Sequence, residues 1–370
     1  MNNPKGVVTL LGSGNSLGAY VPAVQLSRRL DAQGIRSEIC VLENFYRDSI
    51  KNKVPAYRKA FHNDFNLAKK SAEFAHDISG SFDPLKVEQL LDEWEREGRN
   101  SFIATTGFWL PVLNQYRERH GSGGLKVDLL HLDAGISVSY VVYRELIGDF
   151  YRKIRFFDTS CSQMAMTLSI TEQSAIPLAE REQRFTLHGG GWGIGTYKRA
   201  CREMLAGGMQ LNVLAYFDND IEMSENVRYY MNDPNWSPWL KDGRGVHGFP
   251  PLGRIDSGYP VVYSRRDDYP PLFDIIRNSM AIISKPGGYS LFESLESATP
   301  FIFLEPFAKH EESNARYWIE RGLGIWYDDW KTQGYAFEPL VRIHENLLQA
   351  RASTIEYGGN LYAAENESNV

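Results

Sequence analysis

The stretch ISKPGGYSLFESLESATPFIFLEPFAKHEESNARYWIERGLG, residues 283–324, decides the fold. The short apolar run Ala281 to Ser284 meets Lys285-Pro286-Gly287-Gly288, and a helical pattern follows from Tyr289 to Ser297. Phe301 to Leu304 reads as a second strand, Glu311 to Arg321 as a helix and Ile325 to Tyr327 as a last strand. Strands that are apolar throughout, alternating with helices and punctuated by Gly and Pro, predict a parallel sheet covered on both faces.

The scheme extends toward the N-terminus. Phe185 to His188 predicts a strand, Gly189-Gly190-Gly191-Trp192-Gly193-Ile194-Gly195 a glycine-rich loop, Tyr197 to Leu205 a helix and Leu211 to Phe217 a strand. Residues 232–260, rich in Pro, Gly and Trp, read as loop, and Leu272 to Arg277 as a helix. The mostly polar stretch 170–184 separates this half from an earlier one of the same type. There Val7 to Leu11 runs into Gly12-Ser13-Gly14-Asn15-Ser16-Leu17-Gly18, and a helix ends at Gly34. Ile35 to Leu42, Ser101 to Thr106, Leu125 to Leu132 and Lys153 to Phe157 are the further strands. The expectation is two doubly wound α/β units, 1–178 and 179–370. Whether the last amphipathic helix, Phe337 to Gln349, returns to the first unit stays open. Such sheets bind ligands at the carboxyl ends of their strands, so the loops at 12–18, 105–109, 133–139, 189–196, 285–290 and 305–314 should face one cleft.

Two units suit a chain of 370 residues, since single cores stop growing at about 250–300. Lys+Arg number 40 against Asp+Glu 46, a charge of −6, which gives no global attraction to nucleic acid or anionic lipid. Segment 51–70 is a local exception, with Lys51, Lys53, Arg58, Lys59, Lys69 and Lys70 beside Phe61 and Phe65; it reads as a solvated helix face or a membrane-surface contact. Cys40, Cys161 and Cys201 are odd in number and widely spaced, which supports neither a disulfide framework nor a metal site. With no signal-peptide pattern and no apolar run of membrane-spanning length, the chain reads as cytoplasmic.

Three segments carry chemistry. Five glycines in the seven positions 189–195 let backbone approach a phosphate, or simply make a turn. Lys285 to Glu293 opens a helix at a strand end: Gly287 and Gly288 expose amides, Ser290 caps or touches phosphate, and Glu293 one turn on can accept both hydroxyls of a ribose. In Phe307 to Asn314, polar side chains at a helix entrance suit sugar hydroxyls, or complement the helix dipole.

Together these segments resemble the family 28 glycosyltransferases, nearer to the diacylglycerol glycosyltransferases such as monogalactosyldiacylglycerol synthase than to the peptidoglycan GlcNAc transferase. The specific part is residues 283–324; LLHLDAGIS (129–137) and the two glycine loops add weaker likeness. The resemblance implies a GT-B fold with the donor held by the second unit. It implies that Gly190, Gly191, Gly287, Gly288 and Ser290 hold a diphosphate, that Glu293 binds ribose, that Glu311 and Asn314 lie near the donor sugar, and that Asp133 is the general base. Trp192, Lys285 and Tyr289 fall in the same donor segments, and Gly14 and Asn15 in the first loop. The family's donor-reading Gln is His310 here, a second catalytic candidate, and Asn15-Ser16 stand where the family carries a His. The implied reaction is an inverting transfer from a UDP-sugar to a small-molecule or lipid acceptor, with no metal and no cofactor beyond that co-substrate.

Other readings remain. Asp133 can be a turn aspartate, and His131 and His188 are alternative bases or core histidines. Trp109 and Trp192 either stack on a ligand or pack beneath loops. Gly12-x-Gly14-x-x-x-Gly18 with Glu43 suits an NAD(P)-dependent oxidoreductase. A GT-B epimerase and a non-catalytic sugar-nucleotide binder complete the set.

Overall fold

The computed structural model describes residues 6–157, 164 and 166–358; Cys161 and the polar C-terminal tail lie outside them. The first unit contains β1 (Val8–Gly12), α1 (Leu17–Ala32), β2 (Ser37–Val41), α2 (Asp48–Lys51), α3 (Val54–Asn63), α4 (Phe65–Glu73) and α5 (Pro84–Arg96). It continues with β3 (Ser101–Ala104), α6 (Leu110–His120), β4 (Lys126–His131), α7 (Val138–Val142) and β5 (Arg152–Arg155). After β6 (Met166–Thr167), the second unit has β7 (Phe185–Leu187), α8 (Tyr197–Ala206), β8 (Leu211–Ala215), β9 (Val227–Asn232), β10 (Leu252–Ile255), α9 (Leu272–Arg277), β11 (Ala281–Ser284) and α10 (Gly288–Ser297). It ends with β12 (Phe301–Phe303), α11 (Lys309–Glu320), β13 (Gly324–Trp326), α12 (Tyr327–Thr332), α13 (Glu338–Ser353) and β14 (Ile355–Glu356).

The first sheet is parallel, in the order β2-β1-β3-β4-β5, with Leu10 opposite Ile39 and Ile103. The second runs β10-β9-β8-β7-β11-β12-β13. It is parallel except at one edge, where β10 pairs antiparallel with β9. This corrects the reading of 232–260 as loop throughout. β9 alternates buried and half-buried residues, the pattern of a sheet with one wetter face, and β10 spans four residues.

Burial explains why the decisive stretch folds as it does. Every residue of β11 is buried, as is every residue of α10 from Tyr289 to Ser297. Ala298 stops α10 in the left-handed region (φ 51°), and the Thr299 amide returns to the Ser294 carbonyl at 2.9 Å. One apolar cluster joins the units: Phe156 meets Phe292 at 5.2 Å between ring centres and Phe157 meets Trp318 at 5.3 Å. Helix α13 stays with the second unit, where His344 Nδ1 donates to the Ala298 carbonyl at 2.6 Å. The chain after it crosses back: β14 pairs with β6, and the Tyr357 hydroxyl donates to Asp128 of β4 at 2.6 Å. Among the described residues no helix is long and apolar enough to cross a membrane.

Candidate functional site

The six loops expected at the cleft meet around one cavity of about 860 Å³ between the two sheets. Its floor on the second unit is the entrance to α10. That helix begins without a side-chain cap, and Gly287, Gly288, Tyr289 and Ser290 line the cavity. The first-turn N–H groups of a helix have no partner within it, so they and the positive dipole end favour an anion there. Lys285 beside them pairs with Glu311, whose second oxygen accepts from the Phe307 amide at 2.7 Å. Glu293 is 5 % exposed and lines the same cavity. Burial pushes its carboxyl up to about 8, with Ser290 opposing by a hydrogen bond. Burial thus favours the neutral form of this acid.

The second glycine loop forms the facing wall. Tyr216 donates to the Gly190 carbonyl and accepts from the Gly189 amide at 3.2 Å. His188 Nδ1 accepts from the Gly190 amide at 3.1 Å. Burial, with the Lys285 charge adding, holds His188 down at about 3. The ring is therefore neutral, its proton sits on Nε2, and that buried N–H has no protein partner. The Tyr289 hydroxyl and Trp192 Nε1 are likewise buried and unpartnered, and all three residues line the cavity. Buried polar groups are nearly always hydrogen-bonded; these three donors sit behind the cavity lining without a partner.

Asp133 enters from the first unit, at the end of β4. Asn314 of α11 is fully buried and clamps it: Nδ2 donates to Asp133 Oδ1 at 2.7 Å and to the Pro286 carbonyl at 2.9 Å, and Oδ1 accepts from the Ala134 amide at 2.7 Å. The amide of Asn314 is thereby committed to protein, behind the cavity wall. His310, in the first turn of α11, lines the cavity close to Gly135.

The first glycine loop has a different occupant. Glu43, fully buried, accepts from Ser13 Oγ, the Gly14 amide and the Asn15 amide, each at 2.7 Å. The carboxylate read as a ribose ligand of an oxidoreductase instead fills the nest that a dinucleotide phosphate would need. Asn15 lines the cavity, while Gly14 is closed over by Pro238 and Trp239. Trp109 is core: its Nε1 donates to the Gly12 carbonyl at 2.9 Å. His131 is core as well, stacked on Tyr140 at 4.4 Å and held down at about 4 by burial. Trp192 carries the Arg58 guanidinium 3.5 Å above its ring.

The sequence reading missed Arg58, His62 and Asp220. Segment 51–70 is neither uniformly solvated nor free: Arg58 reaches Trp192, His62 reaches Gly193, and Lys69 pairs with Glu305, all in the second unit. The i, i+4 spacing of Arg58 and His62 is the one trace of this in the sequence. Among the described residues no group of three His, Cys, Asp or Glu is arranged to hold a metal.

No protein-family model and no curated protein sequence matches this chain. Solved structures do match in fold. MurG of Acinetobacter baumannii is similar with a TM-score of 0.54 at 12% identity, over 99% of this chain and 100% of that one. The glycosyltransferase VinC in complex with dTDP gives 0.56 at 12% identity, over 97% and 98%. The rhamnosyltransferase SpnG complexed with spinosyn aglycone gives 0.52 at 13% identity, over 97% and 99%. At such identities the likeness is one of fold, and it agrees with the resemblance carried by residues 283–324: the chain has the GT-B glycosyltransferase fold across both of its units.

Proposed function

We propose that this chain transfers a sugar from a nucleoside diphosphate, UDP in the first instance, to a hydroxyl or amine of an acceptor with an apolar body. The observation that carries the reading is the cavity, lined by Asp133 from one unit and by Lys285, Glu293 and the uncapped entrance of α10 from the other. The bond between the anomeric carbon and the diphosphate oxygen breaks as the acceptor oxygen or nitrogen attacks from the opposite face, which inverts the centre. Asp133 takes the acceptor proton. The electron pair leaves on the diphosphate, where Lys285 and the free amides of α10 stabilise the charge. Glu293 accepts the ribose hydroxyls, which favour its ionised form. Nucleotide binding then releases a proton near pH 7 and tightens as pH rises toward 8. On the acceptor side Tyr46, Ile50, Val54, Phe61, Ile78 and Phe108 line the wall among polar residues such as Lys53, Ser71 and His76, which suits an apolar body carrying polar groups and covers both small-molecule and lipid acceptors. VinC, in complex with dTDP, and SpnG, complexed with spinosyn aglycone, support a nucleotide donor and a separate acceptor for this fold.

The test is thermal unfolding against UDP, GDP, dTDP, UDP-sugars and NAD(P). A ligand that binds the folded state alone raises the midpoint. The expected result is stabilisation by one nucleoside diphosphate, lost in Glu293→Ala. Stabilisation by NAD(P) alone would overturn the reading.

A further inference from the structure

Helix α3 belongs to the first unit, yet its last turn is fastened to the donor loop of the second. His62 has a fully buried side chain. Its Nδ1 donates to the Gly193 carbonyl at 2.9 Å, and its Nε2 lies 2.9 Å from Asp220 Oδ1 and 2.9 Å from Lys198 Nζ. Asp220 in turn accepts from Lys198 and, at 2.9 Å, from the Tyr216 amide. Burial opposes ionisation of Asp220, but the hydrogen bonds from His62, Lys198 and Tyr216 outweigh it and hold the carboxyl below the ordinary range. The ring edge packs on Phe217 at 4.8 Å. No side chain fits at Gly193: φ is +70°, and a Cβ would collide with His62 and, at 2.5 Å, with Tyr216.

The bond acts on one peptide plane. The Gly193 carbonyl and the Ile194 amide share it; the carbonyl is taken by His62, while the amide closes the loop on the Gly189 carbonyl at 2.8 Å. A glycine peptide with positive φ has little steric preference of its own, so its orientation depends on these two partners. That orientation sets the turn carrying Gly190 and Gly191. The same helix presents Val54, Arg58 and Phe61 to the cavity.

We propose that His62 is a positioning residue: through its Nδ1–H it holds the diphosphate loop 189–195 from the acceptor-side unit, so that loop geometry depends on contact between the two units. The inference rests on the donor-site reading above, and its test separates the two. His62→Asn places an amide N–H where Nδ1–H stands, whereas His62→Gln reaches toward Asp220 in place of Nε2; His62→Ala removes both. Amide hydrogen exchange of the peptide spanning 188–195 is measured on the nucleotide-free full chain, alongside the thermal midpoint and the Kd values of UDP, GDP and dTDP. Loss of the hydrogen bond to the Gly193 carbonyl, common to both variants, is expected to speed loop exchange and weaken nucleotide binding by about tenfold in His62→Gln and His62→Ala. Exchange elsewhere should stay unchanged, and His62→Asn should stay within about threefold of wild type. Unchanged loop exchange in His62→Ala, or equal damage in His62→Asn and His62→Gln, overturns the proposal. If the wild type binds none of the three nucleotides, the donor-site reading fails, while loop exchange still judges the role of His62.

Discussion

Asp133 and Glu293 are two carboxyls that line one cavity and have different roles in the proposed reaction, and single substitutions separate them. Asp133→Asn keeps an oxygen for the Asn314 amide to bond, so the clamp survives while the base is lost. Turnover of the donor should fall about 10²–10⁴-fold with the midpoint unchanged; release of nucleoside diphosphate, followed chromatographically, checks it, and near-normal turnover would move the base to another residue. Glu293 makes a prediction about stability. Its carboxyl ionises near 8 when folded, against 4.5 for an ordinary glutamate. The unfolded chain therefore loses its proton first, and the contribution of this group to stability is whole below pH 4.5 and declines as pH rises to 8. Glu293→Gln abolishes that decline. Relative to wild type it should be stabilised by roughly 4 kcal/mol at pH 8 and by little at pH 4, as urea unfolding at the two pH values will show, even as nucleotide binding is lost. The position of Glu293, one turn into a helix that opens at a glycine pair, was legible in the sequence. Its protonation was not, because that depends on burial by residues distant in the chain. Asn314 shows the same limit: an amide expected at the donor sugar is spent on Asp133 and Ala134 of the other unit.

Elements with strong punctuation were read well. β11, α10, β12 and α11 follow the pattern of residues 283–324 to within about two residues, because fully buried strands are apolar throughout and Gly and Pro mark their ends. β9 and β10 were missed because they bracket a segment full of Pro, Gly and Trp. The glycines were read only in part. Gly191 and Gly288 were expected to make room for phosphate, but each also makes room for the other unit: a Cβ at Gly191 would lie 2.5 Å from Leu17 Cβ, and one at Gly288 would lie 2.5 Å from the Leu132 carbonyl and 2.7 Å from Asp133 Oδ1. Alanine in place of glycine ordinarily favours a helix by about 1 kcal/mol, yet in Gly288→Ala the clash with backbone should dominate. Displacing the α10 entrance from Asp133 is expected to cut turnover at least tenfold, since misplacements of about 1 Å cost up to 10²-fold, with the far-ultraviolet circular dichroism unaltered. Unimpaired turnover would show that this approach is not needed for catalysis.

The two units behave as one molecule because chain from each is built into the other. Asp128 is almost fully buried in the first sheet, where Arg152 Nε and Nη2 bond it at 2.6 and 2.7 Å. The Tyr357 hydroxyl, from beyond α13, adds a third bond. Tyr357→Phe removes that bond while Arg152 still bonds Asp128. It should destabilise the protein by about 1.5–3 kcal/mol, the worth of a buried hydrogen bond to a charged group, seen as a lower urea midpoint; an unchanged midpoint would mean that this bond contributes nothing to stability. By itself the sequence determined the two α/β units, the place of nearly all their strands along the chain and the loops that face the cleft, since apolar period, Gly and Pro act over neighbouring residues. Only the tertiary structure decided that Glu43 fills the first glycine loop, that donors behind the cavity lining stand unpartnered, and that His62 bonds the second loop. Those outcomes depend on which distant surfaces meet, and burial and hydrogen bonding across a domain boundary leave no local pattern in the chain.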